Sequence, residues 1–135
     1  MKRSFLLLTC LLSLPCVLGT IASAQPAFVP LPVEIQQGSG SFKLGATTTI
    51  VAPAALTNEA NLLATRLRTV AQIPAPIATS GTGIILALDS KLPPEGYELE
   101  ITDKGVRITG GTNAGVFYGT QTFLQTLPAE VYGMI

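Results

Sequence analysis

The chain has 135 residues, with eight basic and eight acidic side chains, 13 Gly, 10 Pro, two Cys and neither His nor Trp. Without histidine there is no imidazole general base, no Ser-His-Asp or Cys-His catalysis and no His-ligated metal. The zero charge balance also argues against nucleic acid, whose phosphates are met by clustered Lys and Arg.

Residues 1 to 24 read as a secretory signal peptide. Lys2 and Arg3 form a charged start, Phe5 to Leu18 is an almost unbroken apolar run, and Ala22-Ser23-Ala24 supplies the small residues of a cleavage site. The run is interrupted by Pro15 and falls short of the roughly 20 residues that a membrane-spanning helix needs. Lipid attachment at Cys16 is disfavoured, because Pro15 stands where a small residue is wanted. Cleavage would make Gln25 the first residue and remove both cysteines, leaving six basic and eight acidic side chains. No disulfide could then form, so the export pattern alone points to a secreted or periplasmic protein. The remaining residues, 25–135, suit one domain with one core, and a (β/α)8 barrel of about 250 residues does not fit.

From residue 25 onward, Pro26, Pro30 and Pro32 favour an extended start. Val33-Glu34-Ile35-Gln36 alternates apolar and polar as a short strand does, Phe42-Lys43-Leu44 is a second candidate, and Thr47 to Val51 is a third. The spacing predicts a helix over Asn58 to Gln72, with Thr57 as its N-cap. Ala60, Leu63, Ala64, Leu67, Val70 and Ala71 share its inner face, and Arg66 and Arg68 lie off it. Pro74 and Pro76 end that helix.

Ile84 to Leu88 is apolar at every position, the pattern of an interior strand covered on both sides. Tyr97, Leu99 and Ile101 alternate with Glu98, Glu100 and Thr102; Asp103-Lys104-Gly105 then supplies a turn, with the glycine expected at positive φ. Val106 and Ile108 alternate with Arg107 and Thr109. Glu98, Glu100 and Arg107 therefore belong to the outer face of a hairpin. A second helix is expected over Asn113 to Leu127, capped by Thr112, with Val116, Phe117, Thr120, Phe123, Leu124 and Leu127 in one inward stripe and Pro128 as its stop. The order β, β, β, α, β, β, β, α defines an α+β fold with a mixed, largely antiparallel sheet and two helices packed on one face.

Two constellations bear on chemistry. Gly110 to Gly115 has the glycine spacing of a phosphate loop, but Val116 and Phe117 stand where Lys and Ser or Thr would reach phosphate and Mg²⁺. The glycines are better explained by a tight turn and close helix-to-sheet packing. Glu98 and Glu100 point the same way on one strand, roughly 6 to 7 Å apart by strand rise, within the range of a sugar-hydrolysing carboxylate pair. Two acids on the polar side of a half-buried strand are more often simply solvated. No residue is therefore assigned a catalytic, cofactor-binding or metal-binding role.

Pro30-Leu31-Pro32 ahead of a short strand, Gly40-Ser41-Phe42-Lys43-Leu44, Gly83 to Leu88, Glu95-Gly96-Tyr97-Glu98-Leu99 and the stretch Gly115 to Pro128 together cover most of residues 30 to 130. This succession resembles the N-terminal, non-catalytic domain of bacterial β-N-acetylhexosaminidases of glycoside hydrolase family 20. The resemblance implies a secreted or periplasmic enzyme that removes terminal N-acetylhexosamine from glycoconjugates or chitin fragments by a retaining, substrate-assisted route, without a cofactor. It also implies a following (β/α)8 barrel that carries an adjacent Asp-Glu pair. No Asp-Glu dipeptide occurs in these 135 residues, so no catalytic residue carries over and the chain looks like a truncated copy, inactive alone. The expected partner is the missing barrel, with amino-sugar substrate reached only through it. Two other readings are a stand-alone carbohydrate-binding module and the similar domain that precedes other glycosidase barrels, such as α-glucuronidases. The first lacks tryptophan and places Phe117 and Phe123 in the core; the Tyr-Gly-x-Gln-Thr stretch disfavours the second.

Overall fold

The computed structural model describes residue 28 and residues 32–36 and 38–132. The signal peptide expected over residues 1 to 24 and the Pro26 and Pro30 positions lie outside the described residues. Among the described residues five strands form one sheet: β1 (Ile50–Val51), β2 (Ile77–Ala78), β3 (Ile84–Leu88), β4 (Tyr97–Thr102) and β5 (Gly105–Gly110), in the spatial order β2-β1-β3-β5-β4. Helix α1 (Thr57–Ala71) lies between β1 and β2, α2 (Asn113–Gln125) follows β5, and a single turn, α3 (Ala129–Tyr132), comes last.

The fold is α+β with a mixed sheet, as the sequence predicts, but the balance of directions differs. β1 pairs in parallel with both β2 and β3, β3 pairs in parallel with β5, and only β4 runs antiparallel, to β5. The hairpin is a local, easily read pairing, whereas the parallel pairs join residues far apart in sequence. Reading the hairpin as typical of the sheet overstates the antiparallel share.

Both helices lie on one side of the sheet. Ile84 and Leu86 of β3 and Val106 and Ile108 of β5 point to that side and join Leu56, Leu63, Leu67, Val116 and Phe123 in a single buried cluster. Each such side chain contributes on the order of 1.5 to 3 kcal/mol by leaving water. Every inward position expected of α1 is buried except Ala71, which is half-buried, and Arg66 and Arg68 are exposed. Arg68 also clamps the helix exit: its Nε donates to the Pro74 carbonyl at 2.7 Å and its Nη2 to that of Ala75 at 3.2 Å. Gln72 and Ala75 there have φ of 53° and 42°, a conformation that costs an L-residue energy, and the Arg68 bonds fix the Pro74 and Ala75 carbonyls of this exit.

Several local expectations are corrected. Thr57 is the first residue of α1, and its hydroxyl donates to the Ala54 carbonyl at 2.8 Å, closing the short 3-10 turn Ala54–Leu56. Thr112 precedes α2 as expected, but its hydroxyl donates to the Pro94 carbonyl at 2.5 Å and ties the helix start to the β3–β4 loop. Phe42 and Leu44 pack against the core without joining the sheet. The third predicted strand shortens to Ile50–Val51, because Thr48 and Gly45 exchange bonds in a turn: Thr48 N–H to the Gly45 carbonyl and Gly45 N–H to Thr48 Oγ1, both 2.9 Å. Val33 to Gln36 pairs with nothing among the described residues. β3 is covered on one side only: Ile84 and Leu86 are buried, Ile85 and Ala87 are half-buried, and Leu88 is exposed.

Gly105 opens β5 without a positive φ, and its lack of a side chain accommodates the Gly83 carbonyl, 2.7 Å from where a Cβ would stand. The glycine run before α2 follows the packing explanation. A Cβ on Gly115 would overlap the Gly96 carbonyl, one on Gly111 would overlap that of Pro93, and one on Gly119 would come within 2.5 Å of Ile108 Cγ2. α2 ends at Gln125 rather than Leu127, and Pro128 stands just before α3, its carbonyl accepting from the Val131 N–H at 3.0 Å.

Gly115→Ala should therefore lower stability by about 1 to 3 kcal/mol, since backbone must move to admit the methyl. Gly38, where a Cβ would meet nothing within 4 Å, is the control; Gly38→Ala should stay within about 0.5 kcal/mol of the parent in urea unfolding followed by circular dichroism.

Candidate docking surface

The two helices run side by side in the same direction. Asn113 Nδ2 donates to the Ala55 carbonyl at 2.8 Å and to Glu59 Oε2 at 3.2 Å, which joins their N-terminal ends. Further along, Arg66 and Val70 of α1 line one hollow with Gln121, Leu124 and Gln125 of α2. That register sets the ridge Leu62-Arg66-Val70 beside the ridge Phe117-Gln121-Gln125, since residues four apart stand above one another on a helix.

This seam has an apolar end and a polar end. Leu62 is 54% exposed, Phe117 37% and Tyr118 43%. The Phe117 and Tyr118 rings meet edge to face, with centroids 5.8 Å apart and planes at 62°. Phe117 is thus a correction to the predicted inward stripe of α2. Gly115, Val116, Gly119, Thr120, Thr122, Phe123 and Leu124 fill the buried side, Leu127 is half-buried, and the large ring is left on the outer rim. Tyr97 is half-buried; a Cβ on Gly119 would stand 3.2 Å from its ring, and its hydroxyl shares a 2.6 Å hydrogen bond with Thr122 Oγ1.

The opposite side of the sheet is different in kind. Glu98, Glu100 and Arg107 are all exposed there, with Glu98 across from Thr109 and Glu100 across from Arg107. Beside them a shallow hollow is lined by Thr82, Ile85, Glu100, Thr102, Lys104 and Arg107. The Glu98 and Glu100 carboxylates are open to water with an arginine opposite one of them, an arrangement of solvated surface charge rather than an enclosed acid pair. Among the described residues no group of three or more metal-ligating side chains comes together, and no helix is long and apolar enough to cross a membrane. The site that stands out is therefore a surface: Leu62, Phe117 and Tyr118 exposed on the outside of a two-helix layer, backed by one side of a mixed sheet.

Fold and surface together define an α+β domain with one open polar side and a helical side that exposes Leu62, Phe117 and Tyr118 among polar residues. The profile of glycosyl hydrolase family 20, domain 2, matches residues 25–135, and the chain belongs to that family as its N-terminal, non-catalytic domain. It is 37% identical to a β-hexosaminidase of Porphyromonas gingivalis over 86% of this chain and 18% of that protein. A lacto-N-biosidase of Bifidobacterium bifidum is 36% identical over 76% of this chain and 10% of that protein. Among solved structures, the family 20 β-N-acetylhexosaminidase of Streptomyces coelicolor superposes with a TM-score of 0.71 at 31% identity, over 81% of this chain and 24% of that one. The chain thus spans from about a tenth to a quarter of the length of these relatives.

If Leu62, Phe117 and Tyr118 make up a solvent-exposed apolar patch, Leu62→Glu combined with Phe117→Glu should abolish binding of a hydrophobic fluorescent dye. Surface changes of this kind should leave stability within about 0.5 kcal/mol of the parent. Dye fluorescence that is unchanged in the double variant would show that the patch lies elsewhere.

Proposed function

We propose that this domain serves a β-N-acetylhexosaminidase as its accessory domain, docking the outer helical ridge of Leu62, Phe117 and Tyr118 against a catalytic (β/α)8 barrel. The whole enzyme would remove terminal N-acetylhexosamine from glycoconjugates or chitin fragments. The observation that carries this reading is the exposure of Leu62, Phe117 and Tyr118 on the helical side of a domain that matches only a small part of much longer hydrolases. Large apolar residues gathered on one rim of a single-core domain are what a buried domain interface needs. The chemistry belongs to the barrel. These 135 residues hold neither histidine nor an Asp-Glu dipeptide, and their paired strand carboxylates are solvated.

The exposed Phe117 and Tyr118 rings lend one observation to a carbohydrate-binding module instead, because sugars stack on aromatic surfaces. The geometry disfavours it. With planes 62° apart the two rings present no common platform for a pyranose, and no tryptophan stands beside them. Calorimetry with a chito-oligosaccharide at millimolar concentration separates the two readings, since docking predicts no heat of binding and a module predicts a saturable one.

Purified 135-residue protein should release no nitrophenol from a nitrophenyl N-acetylglucosaminide; turnover by the pure chain would defeat the assignment of chemistry to the barrel. The enzyme is also read as exported, on the strength of the charged start, apolar run and Ala22-Ser23-Ala24 site. Expression in a Gram-negative host should yield exported protein whose first residue by N-terminal sequencing is Gln25, and recovery of cytoplasmic protein that keeps residues 1–24 would count against it.

A further inference from the structure

The two long helices carry little charge. α2 has no charged side chain, and α1 has three: Glu59, Arg66 and Arg68. Glu59 accepts from Asn113 Nδ2, and the Arg68 guanidinium is engaged by the Pro74 and Ala75 carbonyls. Arg66 is exposed and makes no hydrogen bond or ion pair among the described residues. It stands at a hollow of about 240 Å³, lined also by the buried Val70 and Leu124 and by Gln121 and Gln125. That volume is below the ~300 Å³ at which pockets for small molecules begin, so the hollow suits a single side chain rather than a free sugar.

Helix geometry ties this hollow to the exposed apolar residues. Arg66 lies one turn beyond Leu62, and Gln121 one turn beyond Phe117, so a body that covers Leu62 and Phe117 also reaches the guanidinium. The path of the chain leads to the same spot. α1 and α2 run in one direction with their starts joined through Asn113, so Gln125, the last residue of α2, lies across the hollow from Val70. α3 follows and packs beside α1. The described chain therefore leaves the helix layer at the end where the hollow opens, and a domain that follows it is tethered there.

Resting on the docking proposed above, we infer that the barrel meets Arg66 with a carboxylate, carried by an Asp or Glu side chain that enters the hollow between α1 and α2. Docking takes the guanidinium out of water, and a buried cation without an anionic partner opposes association. A carboxylate answers the planar fork with two parallel N–H···O bonds, while the methylenes beneath it cover Val70 and Leu124. A backbone carbonyl would leave the positive charge uncompensated. A free anion would leave the apolar lining of the hollow uncovered. Arg66 is thus a specificity residue of the interface: Leu62 and Phe117 accept any apolar surface, whereas the guanidinium selects one with an acid at a fixed place.

The test joins residues 25–135 to the barrel of the Streptomyces coelicolor β-N-acetylhexosaminidase, in place of the domain that superposes with this one. Docking is read by amide exchange with mass spectrometry, as slower exchange of the α1 and α2 peptides in the fusion than in the 135-residue chain. In the fusion, Arg66→Gln should speed that exchange at least about fivefold, Arg66→Glu should speed it further, and Arg66→Lys should fall between Arg66→Gln and the parent. In the 135-residue chain, where Arg66 has no partner, all three should stay within about twofold of the parent. An Arg66→Gln fusion that exchanges as the parent fusion does overturns the inference and leaves the docking standing. An Arg66→Glu fusion no faster than Arg66→Gln overturns it too, since the acceptor is then not a carboxylate. A parent fusion that exchanges like the 135-residue chain defeats the docking itself, and the inference with it.

Discussion

The contact between the backbone of α2 and the backbone of the hairpin sets the rest of the structure. Gly110, Gly111, Gly115 and Gly119 lie where a single methyl would meet Val116, Pro93, Gly96 or Ile108. Without side chains at these positions the helix settles onto β4 and β5 at a distance that ordinary residues forbid. That closeness puts the Tyr97 ring against Gly119 and lets its hydroxyl reach Thr122. It also places Asn113 where it can bond Ala55 and Glu59 and so fix α1 against α2. The strands, both helices and the seam between them are thus located by one steric condition.

The two outer sides of the domain separate by chemistry. Along β4 and β5 the residues facing away from the helices are Glu98, Glu100, Arg107 and Thr109, which need water or a polar neighbour. The helix side instead exposes Leu62 on α1 and Phe117 and Tyr118 on α2, while Arg66, Gln121 and Gln125 line a hollow between the two helices. An interface with an apolar centre and polar groups at its margin takes this form.

Much of this is legible in the sequence, for physical reasons that differ by element. α1 reads correctly because Leu63, Leu67 and Val70 recur at the helical period and all three are buried. The hairpin reads correctly because alternation on both arms surrounds a two-residue connection, so the information is local. The parallel strands are harder. Ile77–Ala78 is two residues long beside Pro76 and has no periodicity to detect, and Ile84 to Leu88 is uniformly apolar although one side of it lies open. Helix starts fall within a residue of expectation, but the hydroxyls of Thr57 and Thr112 bond to the segments outside their helices, a choice made by tertiary neighbours. At the chemical level, the exclusion of histidine chemistry and of a phosphate loop needs only residue types at fixed spacing.

Phe117 shows why periodicity alone does not locate the outward surface. The inward side of α2 is built largely from Gly115, Val116, Gly119, Thr120 and Thr122, residues small enough to sit against strand backbone. Close approach of a helix to a sheet leaves little depth beneath it, so a phenylalanine at the margin of the buried arc turns to the rim while Phe123, a turn and a half later, finds depth over the core. α1 packs leucines inward and keeps only Leu62 outside. The same small residues that bring α2 onto the sheet therefore move its bulkiest side chains outward. Compactness of the core and apolarity of the outer ridge are two consequences of one packing solution.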